Sequence, residues 1–192
     1  LFLKTEAGLC RNTIVRYMKC FKRITNMALA KEWMRKDPFY GYKMAQDETD
    51  PVFLTYPELK SIMEKEFTIP RLALVRDIFV FAAFTGLAFA NVSTLTKDNL
   101  VQDNNGDWWI RKGRVKLERR HRASSVCNIP LLPVPLAILK KYEEHPICRK
   151  KSLCLPVICN QRMNSYLKEI ADLCNIRKNL TTHMAKHHTI SI

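Results

Sequence analysis

Between Asn12 and Trp33 the apolar residues Ile14, Tyr17, Met18, Phe21, Ile24 and Ala28 recur at intervals of three and four, with Lys and Arg filling the gaps. That period lines one face of a helix, so the stretch predicts an amphipathic helix, capped by Asn12 and unable to continue past Pro38. Lys43 to Pro51 carries little apolar content and holds Gln46, Asp47, Glu48, Thr49 and Asp50, which predicts a linker. A second unit opens at Thr55, where Thr55 and Glu58 have the spacing of a capping box and Leu59, Ile62, Met63 and Phe67 share one helical face. The boundary falls near residue 52. Arg71 to Leu87 is apolar almost all round, through Leu72, Leu74, Val75, Ile78, Phe79, Val80, Phe81 and Phe84. A helix with no polar face belongs in the middle of a core. A shorter helical turn is expected at Asn91 to Leu95.

The texture then changes. Asn104, Asn105 and Gly106 predict a turn, Trp108, Trp109 and Ile110 a strand, Gly113 another turn, and Ser125 to Ile129 a returning strand, together a small antiparallel sheet. Helical spacing resumes over Pro135 to Tyr142 and over Gln161 to Cys174, where Met163, Tyr166, Leu167, Ile170 and Cys174 lie three or four apart; a last helix begins at Thr182. The fold class is therefore mostly α with a small β-hairpin sheet. No internal repeat is visible.

Charge narrows the function. Lys and Arg outnumber Asp and Glu by 32 to 18, a net +14 spread along the 192 residues rather than packed into a tail. That favours a polyanionic partner, and nucleic acid is the commonest, because neutralised phosphates release condensed counterions. The seven cysteines are odd in number and form no C-x-x-C pair, so they read as reduced thiols of a cytoplasmic protein, not a disulfide framework or zinc site. The longest apolar stretch, Ile78 to Ala90, is too short to cross a bilayer, and no membrane partner is expected.

Three segments, in this order, resemble the catalytic domain of tyrosine recombinases (phage-type integrases), in particular those of mobile elements in the Bacteroidetes lineage. They are Phe84-Thr85-Gly86-Leu87-Ala88-Phe89-Ala90-Asn91-Val92; Arg114-Val115-Lys116 followed by Asn128-Ile129-Pro130-Leu131-Leu132-Pro133; and Leu180-Thr181-Thr182-His183-Met184-Ala185-Lys186-His187. Trp33 to Pro38, ahead of the linker, looks like the end of that family's helical core-binding domain. The resemblance implies part of a SAM-like core-binding domain over residues 1–45, a linker over 46–52, and a catalytic domain over 53–192. It also implies that the chain starts inside a longer product, since its first residue is Leu, and stops before the nucleophile.

The family's chemistry needs cations, because the attacked phosphodiester gathers negative charge on its non-bridging oxygens and a guanidinium binds two of them at once. In T-G-L-R the first catalytic Arg follows the buried helix; here that place holds Ala88, and the acidic place three further on holds Asn91. Some relatives share T-G-L-A, and Arg114 then becomes the candidate guanidinium. By the resemblance, Lys116 is the hairpin lysine acting as general acid toward the leaving 5′ oxygen, and His183, Lys186 and His187 fill the H-x-x-R-H box with Lys in place of Arg. Arg111, Lys112, Arg114, Arg119 and Arg120 form the expected DNA-binding set on the hairpin. The i and i+4 spacing of His183 and His187 is also that of metal ligands, but no third ligand cluster accompanies it, so no metal or cofactor is assigned. All six tyrosines (Tyr17, Tyr40, Tyr42, Tyr56, Tyr142, Tyr166) precede the box, whereas the family's nucleophile follows it. The expected activity is DNA strand cleavage and rejoining in integration, with double-stranded DNA and further recombinase protomers as partners, and inactivity of the chain by itself. Two alternatives stand beside it: a non-catalytic DNA-binding regulator of recombination sites, and an unrelated basic protein.

Overall fold

The computed structural model describes residues 2–48, 52–113 and 126–187, apart from the side chains of Lys186 and His187. The chain divides into two compact units, Leu1–Pro51 and Val52–Ile192.

The first unit has a short helix α1 (Phe2–Thr5) and a long one, α2 (Arg11–Ala30). Two sequence expectations are corrected here. The N-cap of α2 is Cys10, not Asn12, and the helix ends at Ala30, a little short of Trp33. Its end is a Schellman motif: Glu32 takes φ 60°, its amide donates to the Leu29 carbonyl (3.0 Å), and the Trp33 amide donates to that of Ala28 (2.8 Å). Asn12 is used elsewhere. Its amide donates to the Asp47 carbonyl (3.0 Å) and its carbonyl accepts from the Asp47 amide (2.8 Å), while Arg11 pairs with the Asp47 carboxylate at 3.1 Å. Part of the stretch read as linker is thereby tied back onto α2. Phe39 is buried, edge-on to Phe21 (5.6 Å) and to Tyr42 (6.3 Å).

The second unit is built around one helix. α3 (Tyr56–Glu64) starts at the anticipated capping box: the Thr55 amide and hydroxyl both donate to the Glu58 carboxylate, at 2.7 and 2.9 Å. α4 (Pro70–Thr85) follows. Pro70 enters at the first helical turn, where a missing N–H costs nothing, and Gly86 closes the helix at φ 64° with its amide on the Ala82 carbonyl (2.9 Å). Next come α5 (Phe89–Val92), slightly earlier than the turn expected at Asn91 to Leu95, and a 3₁₀ turn, Lys97–Asn99. The sheet has three strands in the order β1 (Leu100–Gln102), β2 (Trp108–Gly113) and β3 (Val126–Pro130), all antiparallel. β1 went unforeseen because three residues are too few to show a period of two. Gly113 is not a turn but continues β2, paired with Val126. Helices α6 (Pro133–Tyr142), α7 (Pro146–Lys151), α8 (Asn160–Leu173) and α9 (Thr182–His187) complete the unit; α7 was also unforeseen, and His145 starts it by accepting the Ile147 amide at 3.3 Å.

α4 packs against α3, α6, α8 and α9, so its apolar side chains meet a neighbour in every direction. The one charge it buries, Asp77, is satisfied threefold: by Arg76 Nε (2.8 Å), Lys141 Nζ (2.7 Å) and the Tyr142 hydroxyl (2.8 Å). This clasp joins α4 to α6. Burial, then the bond to Asp77, push the Tyr142 phenol well above its ordinary range. Among the described residues no helix is long and apolar enough to cross a membrane.

Candidate nucleic-acid interface

The T-G-L-A segment lies where α4 gives way to α5. Thr85 is buried and its hydroxyl donates to the Phe81 carbonyl (2.8 Å); Gly86 makes the left-handed turn that a side chain would strain; Leu87 is buried; Ala88 caps α5 with extended backbone. Ala88 and Asn91 are both half-buried. The Thr94 and Ser93 hydroxyls fold back onto the Ala90 carbonyl at 2.9 and 3.1 Å, closing α5.

α9 carries the histidine box. Met184 and Ala185 are buried, which turns His183 outward, where it is exposed. The start of α9 is held by α8: Asn164 Oδ1 accepts the Thr182 amide (2.9 Å) and Asn160 Oδ1 accepts the Thr182 hydroxyl (2.8 Å). Asn164 therefore satisfies, from another helix, one of the amides left without an intrahelical partner at the start of α9. Just upstream, Lys178 Nζ donates to Glu58 at 2.6 Å. Burial raises the Glu58 carboxyl, but the bonds from Lys178 and from the Thr55 amide and hydroxyl outweigh it and hold the group below its usual 4.5. Asn160 and Asn164 were missed as site residues; their i and i+4 spacing along the flank of the apolar face of α8 was the available signal.

Two of the three family-like segments meet. Phe89 and Val92 of α5 and Thr182 and Ala185 of α9 line one small apolar crevice over Ile78, Phe79, Ala82 and Met163. The strand that leads to the third segment touches the same region, because Lys112 of β2 donates to the Thr94 carbonyl and to Asn99 Oδ1 (3.1 Å). Arg111, its neighbour in β2, is exposed on the opposite face of the sheet, paired across strands with Asn128. Beside it the Trp109 indole donates to Asp103 Oδ2 (3.0 Å). That bond and the Asp107 and Asn105 amides hold the Asp103 carboxyl below the ordinary range. Arg114, Lys116, Arg119 and Arg120 lie outside the described residues, as do the side chains of Lys186 and His187. Among the described residues no group of three or more His, Cys, Asp or Glu is arranged to hold a metal ion.

Comparison with known proteins bears on both units. Residues 1–44 match the family model of the phage integrase SAM-like domain. A search of curated proteins finds no sequence match. Among solved structures, the chain is similar to the Tn1549 transposon integrase in complex with circular intermediate DNA, with TM-score 0.68 and 17% identity over 96% of this chain and 67% of that one. It is also similar to the XerH site-specific recombinase bound to its difH substrate (TM-score 0.54, 19% identity, 72% of this chain and 41% of that one) and to XerA recombinase (0.51, 14%, 97% and 62%). The chain thus spans less than half the length of XerH. At such identities the structural likeness speaks for the fold, and it is the fold of tyrosine-recombinase catalytic domains. A phage integrase SAM-like domain is thus matched over the first 44 residues, and the chain shares its fold with the Tn1549 integrase and the XerH and XerA recombinases.

Proposed function

We propose that the protein binds duplex DNA as a tyrosine-recombinase-type integrase, for strand cleavage and rejoining during DNA integration or recombination. The observation that carries this reading is the succession of a SAM-like integrase domain and a recombinase-fold unit in which the T-G-L-A segment and the histidine-box helix line one crevice. The net charge of +14 supports it, and the similar Tn1549 integrase and XerH structures hold DNA. In this reading His183, Lys186 and His187 face the scissile phosphate, Lys116 protonates the leaving 5′ oxygen, and Arg114 supplies the guanidinium that Ala88 lacks. Arg111, Arg119 and Arg120 grip the backbone. Other recombinase protomers share the DNA.

A specific pair of residues favours a second reading, a DNA-binding regulator that occupies recombination sites without cutting. Ala88 offers no cation and Lys186 a point charge where the family has a planar fork. Loss of one positioned donor costs about 10²–10³ in rate. In both readings a polypeptide of these 192 residues binds DNA without forming a covalent link, since all six of its tyrosines precede the box. Binding to labelled duplex should fall steeply with salt, as counterion release requires; a nearly flat salt dependence sinks both readings. On nicked suicide substrates a denaturing gel should show no adduct, and a covalent band mapping to one of the six tyrosines would identify a nucleophile this reading dismisses.

A further inference from the structure

We propose that Lys112 is a positioning residue, a strut between the hairpin and α5, rather than a phosphate contact. The inference rests on the DNA-binding reading above and refines it. Side chains alternate along a strand, so Lys112 and Arg111 leave β2 on opposite faces. Arg111 is exposed beside Asn128, whereas Lys112 is half-buried, opposite Cys127. Its ammonium donates to two fixed acceptors. One is the Thr94 carbonyl, immediately after α5, where the Thr94 hydroxyl is itself anchored on the Ala90 carbonyl (2.9 Å). The other is Asn99 Oδ1 (3.1 Å), which also receives the Thr96 amide (3.1 Å) and hydroxyl (3.2 Å) and so cannot swing away.

Hydrogen bonds from an ionised donor are roughly twice as strong as neutral ones, and here both acceptors belong to the segment that follows Ala88 and Asn91. The far end of the strand, Gly113, is one residue from Arg114 and three from Lys116. A single side chain therefore ties the end of β2 to the segment that follows α5. An ammonium whose hydrogens are directed at these two oxygens is turned away from direct phosphate contact, and that difference can be measured: a phosphate contact contributes about 0.9 to the slope of log K against log salt, and a strut contributes much less.

The test compares wild type, Lys112→Met, Lys116→Ala, the double variant, Asn99→Ala and Asn99→Asp, all in the 192-residue chain. Lys112→Met should weaken DNA binding about tenfold at every salt concentration with the slope nearly unchanged, and Lys116→Ala should add little in its background, because both then act through the same end of β2. Asn99→Ala removes an acceptor without touching any charge and should reproduce part of the loss; Asn99→Asp keeps the oxygen and should restore binding, a rescue that a phosphate contact would not show. A slope lowered by about one, additive losses with Lys116→Ala and a silent Asn99→Ala would together overturn the strut. Absence of DNA binding by the wild type would overturn the DNA reading instead. In that case amide hydrogen exchange of the free protein decides: the strut requires faster exchange over residues 110–113 in Lys112→Met and Asn99→Ala, and unchanged exchange rejects it. Asn99→Ala also keeps the test intact if Lys112→Met does not fold.

Discussion

Helices α2 and α4 are the two long apolar-patterned helices of their respective units, and they meet opposite fates. α4 buries ten of its sixteen residues, Asp77 among them. α2 buries only Val15 and Thr25 of twenty, while Tyr17, Phe21, Ile24 and Met27 stay more than half exposed. The apolar stripe of α2 has the spacing of a core-facing helix without a cover among the described residues. What holds the end of its unit is a small set of contacts: the Asn12–Asp47 pair of hydrogen bonds and the Phe21–Phe39–Tyr42 ring contacts. Periodicity reports which residues share a face, and burial depends on what stands opposite. Free energy from apolar burial is therefore concentrated in the second unit.

The sharpest way to break this contrast is Phe81→Ala. Phe81 is fully buried in α4, and the truncation should cost about 3–5 kcal/mol in the second unit. Cysteine labelling reads the second unit, with Cys20 of the first as an internal control. Cys148 and Cys154 are buried, and burial pushes the Cys154 thiol up to about 11, so both should be protected until the second unit opens; Cys20 is exposed from the start. In Phe81→Ala, protection of Cys148 and Cys154 should be lost at lower denaturant with Cys20 unaffected. Unaltered protection would mean that α4 is not the pillar of that unit.

Asp77→Ala should come next, at about 3 kcal/mol, because it leaves the Tyr142 hydroxyl and the Arg76 guanidinium without their buried partner. Replacement by Asn keeps one acceptor and should cost less. Equal unfolding midpoints for Asp77→Ala and wild type would remove the clasp between α4 and α6 as a source of stability.

Glu58→Gln should cost about 1 kcal/mol at neutral pH, the scale of one charge-assisted network at a half-buried site. The sign of its pH dependence follows from the lowered folded-state value. A depressed carboxyl contributes stability fully present above its unfolded pKa, near 4.5, and lost as pH falls through the lower folded value. Denaturation curves of Glu58→Gln and wild type should thus differ above pH about 4.5 and converge in stronger acid. A gap independent of pH would show that Glu58 acts by packing, not by charge.

The smallest effect belongs to α2. Ile24→Ser should change stability by no more than about 0.5 kcal/mol, because a residue 61% exposed loses almost no burial. A loss of several times that would reveal a cover over the stripe and erase the difference between the two helices.

Much of this molecule was legible along the chain, because local chemistry settles local form. The Thr55–Glu58 capping box, the buried helix ending at Gly86, the hairpin strands around Trp109 and Ile129, and the apolar face of α8 all follow from spacing over a few residues. So does the alternation that separates Arg111 from Lys112, although the alternation does not say which face meets the protein. The order of T-G-L-A, hairpin and histidine box along the chain carried the family resemblance in the same way. Other features waited for the fold, since their partners are remote in sequence. Asp77 meets Tyr142 across 65 residues, Glu58 meets Lys178 across 120, and Asn160 and Asn164 hold Thr182 across 22 and 18. The end of α2 waited too, because a Schellman turn at Glu32 lacks the glycine that normally announces it. Lys112 shows the division most plainly. The sequence by itself determined a cation on the hairpin strand, which is why it stood among the DNA contacts; only the tertiary structure set the Thr94 carbonyl and Asn99 against its ammonium, because proximity between β2 and the segment after α5 is a property of packing and not of any local pattern.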